Sequence, residues 1–292
     1  YFNQIKDLPG ISTFEDQQVL NIERLDNGLE VKTKDQTFKA KVIMGADGAN
    51  SVVSRCLSGI KMNKNHHCAG VRQYYEGVEG MEHGNIEFHY YKDLFPGYFW
   101  IFSLPNKQVN VGLGMVSKEI SKRKINIKEM LDEAIKSHPN IAHRFKNAKA
   151  LGSIKGFGLP LGSRKVNCSG DNFLLLGDAA SLIDPFTGEG IGNAIRSGRI
   201  AAEHLITAFE KNRFDGVFNK AYDKEIYNRM WTELRIGSIL QKTLNHPRLA
   251  NFIVNKANKN ESFQTLLISM LNDIDIKKEL RKPSFYYKLL FN

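Results

Sequence analysis

The chain has 292 residues, of which 42% are hydrophobic and 25% charged, and it carries a formal net charge of +10. That length and apolar content are enough for one large or two medium globular domains, and they exclude a disordered or fibrous chain. No stretch approaches the roughly 18 consecutive apolar residues of a membrane-crossing helix.

Cys56, Cys68 and Cys168 are widely spaced and form no C-x-x-C pair, which points to reduced thiols and a cytoplasmic setting rather than a disulfide framework or zinc site. No signal peptide is visible, and the chain begins at Tyr1. The lysines are dispersed and no nucleic-acid motif accompanies them, so no nucleic-acid partner is expected. Their charge suits an anionic cofactor, a diphosphate substrate or an acidic membrane surface, and equally a solvated lysine-rich exterior.

In chain order, Gln18–Leu25 and Leu29–Thr33 read as strands around Asp26-Asn27-Gly28, a hairpin turn because Asn-Gly tolerates positive φ. Thr37–Lys39 extends this to a three-stranded meander, and Val42–Met44 predicts a short buried strand. Gly45-Ala46-Asp47-Gly48 then ends that strand in a tight turn, with Asn50 or Ser51 placed to cap a following helix.

Cys68–Val78, Asn85–Lys92, Tyr98–Leu104 and Val109–Val116 are β-rich runs between Gly, Asn and Pro turns, and Gly152–Leu159 adds a further run. Within Pro96–Ser103 the two-residue period puts Tyr98, Trp100 and Phe102 on one face and Phe99 and Ile101 on the other. That aromatic row suits either the wall of an apolar pocket or a second core face. Ile127, Met130, Leu131, Ala134 and Ile135 mark a helix that ends at His138-Pro139. His66, His67, His83 and His89 accompany the sheet, but their spacing assigns no catalytic acid or base and no metal site.

Phe173–Leu176 is a short apolar run that reads as a buried strand, followed by Gly177-Asp178-Ala179-Ala180 and a glycine loop, Asp184–Gly190. A helix then starts, with Ile191, Ile195, Gly198, Ala202 and Leu205 as its expected buried face. A carboxylate at a strand end can accept hydrogen bonds from ribose or polyol hydroxyls. The free N–H groups of Gly190, Ile191 and Gly192 at the helix start suit an anion, such as the charged edge of a reduced flavin. Beyond it, Phe218–Leu234, Ile236–Leu244 and Phe263–Leu271 read as separate amphipathic helices, and Phe285–Phe291 as an aromatic, basic tail suited to a membrane interface or a cavity cap.

Three strings carry a family resemblance. Gly177, Asp178, Ala179, Ala180, Pro185, Gly188, Gly190 and Ile191 meet every lettered position of G-D-A-A-x-x-x-x-P-x-x-G-x-G-I, and so resemble the second flavin motif of the FAD-dependent hydroxylase/geranylgeranyl reductase superfamily. Asp47, Gly48 and Ser51 are similar to its D-G-x-x-S-x-x-R string, with Arg55 one position late. Tyr98, Trp100 and Phe102 are similar to the Y-x-W-x-F-P string of geranylgeranyl reductases, with Ser103 in place of the proline.

The resemblance implies a mixed α/β (α+β) fold: a Rossmann-like FAD/NAD(P)-binding domain, an inserted antiparallel substrate sheet and a helical C-terminus. Its parts would be residues 1–60 and 166–212 for the FAD domain, 61–165 for the substrate sheet and 213–292 for the helices. No G-x-G-x-x-G opens a βαβ unit here, so the expectation is an incomplete FAD domain that lacks its N-terminal portion. The implied cofactor sites are Asp178 at the ribityl chain, Gly188, Gly190, Ile191 and Gly192 at the isoalloxazine, Asp47 and Gly48 near FAD and a nicotinamide pyrophosphate, and Val19 at the adenine end. Tyr98, Trp100 and Phe102 would border the substrate.

The implied activity is FAD-dependent reduction of prenyl-lipid double bonds, with NAD(P)H as an electron donor, an apolar prenyl-type substrate and peripheral membrane association. A flavin monooxygenase on a small apolar or aromatic substrate is the first alternative. A truncated, non-catalytic lipid- or partner-binding domain is the second.

Overall fold

A computed structural model describes residues 2–90, 94–95, 97–244, 246–261 and 264. The helix expected at Phe263–Leu271 and the tail Phe285–Phe291 therefore fall outside the described residues. After a short N-terminal helix α1 (Phe2–Ile5), strands β1 (Val19–Leu25), β2 (Gly28–Thr33) and β3 (Thr37–Ala40) form the expected antiparallel meander. Its hairpin pairs Leu25 with Gly28, so Asp26-Asn27 is a two-residue loop. Gly28 sits at φ 129°, and a Cβ there would collide with the Ala40 carbonyl, so both the turn and the β2–β3 pairing require glycine.

Strand β4 (Ile43–Gly45) pairs in parallel with β11 (Phe173–Leu175), and β10 (Ser169–Gly170) completes a three-stranded sheet in the order β10-β11-β4. Phe173, Leu174 and Leu175 are buried as expected. The β4 strand is not: Met44 is 51% exposed, because an edge strand covered on one face buries only alternate side chains.

The second sheet has five antiparallel strands, β6 (Ile86–His89), β7 (Gly97–Ser103), β8 (Gln108–Val116), β5 (His67–Glu76) and β9 (Lys149–Pro160), in that order. Short helix α2 (Ser117–Arg123) follows β8, and α3 (Ile127–Ser137) buries Leu131 and Ile135 against one face of the sheet. That face holds Val71, Phe99, Ile101, Val111 and Leu113, all nearly inaccessible. Of the two readings of the aromatic strand, Phe99 and Ile101 take the core and their alternating partners do not.

Helix α4 (Ile191–Glu210) corrects the expected amphipathic face. Ile191 and Ile195 are 75% and 61% exposed, and the buried face is Asn193, Ser197, Ile200, Ala201, Leu205 and Ala208. The two polar residues are accepted there because they are satisfied. Asn193 Nδ2 donates to the Leu182 carbonyl at 2.7 Å, and Ser197 Oγ accepts from the Gly177 amide at 3.0 Å while donating to Ala194 O. These bonds pin the helix to the Gly-Asp turn.

Helix α5 (Gly216–Leu244) is continuous over 29 residues rather than divided near residue 235. Gly237 lies inside it; a Cβ there would lie 3.1 Å from Asp184 Oδ1 and 3.2 Å from Pro185, so bare backbone lets the glycine loop pack directly on the helix. Tyr222, Ile226, Met230 and Leu234 of α5 join β11 and α4 in the main core, and α6 (Pro247–Lys259) follows.

Candidate functional site, an aromatic cavity under a glycine loop

Because β7 spends Phe99 and Ile101 on the core, Tyr98, Trp100 and Phe102 project from the other face of the sheet. They are the wall of a cavity of about 550 Å³, joined by Phe88, Phe157 and Leu159 from neighbouring strands. The opposite side is the glycine loop itself, Pro185 to Glu189, with Gln241 of α5. Tyr98 ties the two sides together: its hydroxyl donates to the Thr187 carbonyl at 2.7 Å. Burial raises the Tyr98 phenol above its ordinary range, so it remains a neutral donor.

Two glycines that spacing did not single out set the cavity floor. In the β7–β8 register Trp100 faces Gly112 and Tyr98 faces Gly114. A Cβ at Gly112 would collide with the Trp100 indole and the Val71 carbonyl, so the ring can lie flat on β8 only over glycine. Trp100 Nε1 then donates to Asn110 Oδ1 at 2.9 Å. The signal was present as Gly-x-Gly opposite Tyr-x-Trp, but it required the strand register to read. Cys68 also lines the cavity; burial pushes its thiol up to about 12, so it holds its proton and the cavity wall there is uncharged.

The Gly-Asp turn sits at the end of β11 as a single 3₁₀ turn, Gly177–Ala180. The Asp178 carboxylate accepts no hydrogen bond among the described residues, while its backbone carbonyl takes the Ser181 amide at 2.9 Å, and burial raises the carboxyl above its usual value. It lies against the start of α4: a Cβ on Gly190 would be 3.2 Å from Asp178 Oδ1. Of the three helix-start donors expected to be free, Gly192 N–H is taken by Glu189 Oε1 at 2.7 Å. An acid immediately before a helix's N-cap is drawn to the unpaired amides and partial positive charge there, which is why Glu189 folds back. The Gly190 and Ile191 amides keep no acceptor among the described residues. An unsatisfied, half-buried carboxylate beside two unspent amides suits a polyol chain leading to an anionic ring edge, so these residues fit FAD.

The Asp-Gly turn is arranged differently. Asp47 Oδ2 accepts from the Val52 and Val53 amides at 2.7 and 3.1 Å, and its Oδ1 accepts from Ser51 Oγ. Ser51 in turn caps the Ser54 amide at 2.8 Å, opening a helical segment that ends as a π-helical turn, Ser54–Ser58. Gly48 has φ 74° and open space at its Cβ. Val19 packs at the edge of the main core with Val52 and Cys56. None of Asp47, Gly48 and Val19 lines the aromatic cavity, whereas Gly188 does.

The sheet histidines have structural partners: His66 Nδ1 with Ser163 Oγ, His67 Nδ1 with Ser117 Oγ, and His89 Nε2 with Glu87. Burial lowers the pKa of both His66 and His67, with Arg164 and Lys242 adding to the effect at His66. No cluster of potential metal ligands occurs among the described residues, and no helix among them is long and apolar enough to cross a membrane.

Residues 67–156, the sheet that carries the aromatic wall, match the family model of the geranylgeranyl reductase catalytic domain. A digeranylgeranylglycerophospholipid reductase of Methanococcus vannielii is 31% identical over 236 residues, spanning 77% of this chain and 58% of that protein. The corresponding protein of Thermoplasma acidophilum is 30% identical over 65% of this chain and 47% of its own length. This chain thus spans about half the length of the curated relatives it matches. A geranylgeranyl bacteriochlorophyll reductase-like structure from T. acidophilum superposes with a TM-score of 0.69 at 24% identity, covering 80% of this chain and 60% of its own. The flavin-dependent halogenase CmlS gives 0.62 at 18% identity, covering 77% and 42%, so these two share the fold. The resemblance read from the three strings therefore stands, and with it the α/β flavoprotein architecture.

Proposed function

We propose that this chain, whose central sheet belongs with the geranylgeranyl reductase catalytic domain, is the substrate-holding part of an FAD-dependent oxidoreductase that reduces carbon–carbon double bonds in a prenyl lipid. The observation that supports this most directly is the Tyr98–Thr187 hydrogen bond, which joins the aromatic wall to the glycine loop in one cavity. The division of labour follows: residues 61–165 hold substrate, while 1–60 and 166–212 hold cofactor.

Asp178 would accept from the ribityl hydroxyls, and Gly188, Gly190 and Ile191 would offer backbone close to the ring. Gly192 joins them once the Glu189 carboxylate gives up its amide. Asp47, Gly48 and Val19 would serve the far end of the cofactor through their backbone, since the Asp47 side chain is committed to its helix. Bound FAD, once reduced by two electrons, would supply a hydride for one alkene carbon, with a proton from water or a nearby acid completing the addition at the other. The chain's own contribution is position and exclusion of water: Tyr98, Trp100 and Phe102 hold a flat apolar chain in a dry wall, and the neutral Tyr98 and Cys68 add no charge to repel it.

NAD(P)H as the electron source and peripheral membrane association complete the proposal. The second is supported by the net charge of +10, which favours an anionic surface where such a lipid resides. The test is anaerobic incubation of the intact protein, FAD-loaded and chemically reduced, with an unsaturated prenyl lipid. A gain of two hydrogens per reduced bond by mass spectrometry is expected. Unchanged lipid with consumption of oxygen on re-aeration and appearance of a hydroxylated product would replace the reductase reading with a monooxygenase.

A further inference from the structure

An isolated, branched alkene is a poor hydride acceptor, because nothing on it withdraws electrons. Hydride addition needs positive charge on the receiving carbon. A proton arriving first at the less substituted carbon provides it, using the two π electrons for the new C–H bond. The hydride then closes the second C–H bond, so the alkene is reduced, the reduced flavin is oxidised, and water replaces the proton. The transition state carries partial positive charge on a branched carbon, and a wall that assists the reaction must favour that charge.

The aromatic row offers it π faces. Cβ atoms on Gly70 and Gly114 would lie 3.9 and 3.8 Å from the Trp100 indole, and one on Gly112 would collide with it. The ring therefore rests one face on bare backbone of β8 and β5 and turns the other to the cavity it lines. Its N–H is spent on Asn110, which fixes the ring plane. Phe102 follows at 6.0 Å between ring centres with the planes 28° apart, so a second face lies beside the first.

The same wall already carries one cation on aromatic faces. The Arg72 guanidinium carbon is 4.8 Å from the Tyr74 ring centre and 5.2 Å from that of Phe157. It has no carboxylate partner among the described residues. Arg72 is turned to Tyr74 and β9, and no side-chain cation of the described residues covers Trp100 or Phe102. Glu189 is the one carboxylate lining the cavity among the described residues, and it is engaged with the Gly192 amide. A positive charge entering here meets ring faces before it meets a free acid.

We propose that Trp100 and Phe102 bind positive charge on a branched prenyl carbon by cation–π attraction, and that the flavin-free cavity therefore takes a prenyl ammonium ion more tightly than the neutral chain. This rests on the prenyl-reductase reading of the cavity. The net charge of +10 opposes a cation at long range, so a preference of this sign arises within the cavity.

Calorimetry on the chain without flavin compares two probes. One is a farnesyl-length alcohol with a tertiary amine, protonated at neutral pH, in place of a branched alkene carbon; the other is its uncharged carbon isostere. The ammonium probe is expected to bind about tenfold more tightly or better. Trp100→Phe keeps a ring and should keep part of that preference, whereas Trp100→Leu should bring the two affinities within about twofold while the neutral probe still binds. Phe102→Leu should lower the preference in a wall that retains Trp100, which keeps the test open if Trp100→Leu fails to fold. Glu189→Gln should leave the preference in place. Equal affinity for the two probes would overturn the inference and leave the prenyl cavity standing, as would a preference removed by Glu189→Gln or one that survives both leucine variants. Failure of both probes to bind would overturn the prenyl reading together with the inference.

Discussion

The two motif turns, Asp47-Gly48 and Gly177-Asp178, look alike in sequence and are used in opposite ways. Each places an aspartate at the end of a parallel strand, and the two strands are neighbours. Asp47 spends both carboxylate oxygens on Ser51 and on the amides of the following helix. Asp178 spends neither among the described residues, and the start of the helix beside it is pinned instead by Asn193 and Ser197. The same division runs along β7, where Phe99 and Ile101 are consumed by the core and Tyr98, Trp100 and Phe102 remain for a ligand. A group already satisfied within the fold contributes to stability; a group held in place by its neighbours but left unsatisfied is available for binding.

Mutations should separate these two kinds of residue. The largest effect is expected on the two faces of β7: Phe99→Ala should destabilise by about 3–5 kcal/mol through an unfilled core space, whereas Phe102→Ala should cost far less in urea unfolding and instead weaken prenyl-lipid binding. Equal destabilisation by both would mean that the cavity wall is a second core. On α4, Ser197→Ala leaves the Gly177 amide buried without a partner and should cost about 1–3 kcal/mol, while Ile195→Ala on the exposed stripe should stay within about 0.5 kcal/mol.

Between the turns, Asp47→Ala should lose about 1–2 kcal/mol as a lost helix cap. Asp178→Ala should unfold at the same or higher urea concentration yet fail to retain flavin in the intact protein. Retained flavin with reduced stability would reverse the assignment. A pH dependence is expected as well. Asp178 and Asp223 have folded pKa values above their unfolded ones, so the folded state binds protons more tightly and stability falls as pH rises through that window, from 3.8 to about 6 for Asp223. Asp178→Asn and Asp223→Asn should each flatten part of that fall in thermal melts, and a steeper fall would contradict the burial that raises them.

Local chemistry was sufficient for much of this molecule. Asn27-Gly28 determined the hairpin because positive φ is a property of the residue itself. The alternation in β7 determined which aromatic residues share a face because the two-residue period belongs to any strand. The apolar run before Gly177 and the helix at Ile127 were legible for the same reason, and the spacing of the glycine loop carried the flavin resemblance.

Tertiary structure decided which groups are spent. Helix periodicity favoured Ile191 and Ile195 as the inner face of α4, but Asn193 and Ser197 won it because carbonyl and amide groups of a distant turn satisfy them. Glu189 took the Gly192 amide because the loop folds back on its own helix. Gly112 became the bed of Trp100 only through the register of β7 on β8, and Gly237 could stay inside a helix only because Asp184 and Pro185 press against it. Whether a polar group is satisfied depends on partners that sequence distance does not reveal, so the sequence carried the resemblance to a flavin-dependent reductase family while the fold alone decided which residues of those strings remain unspent.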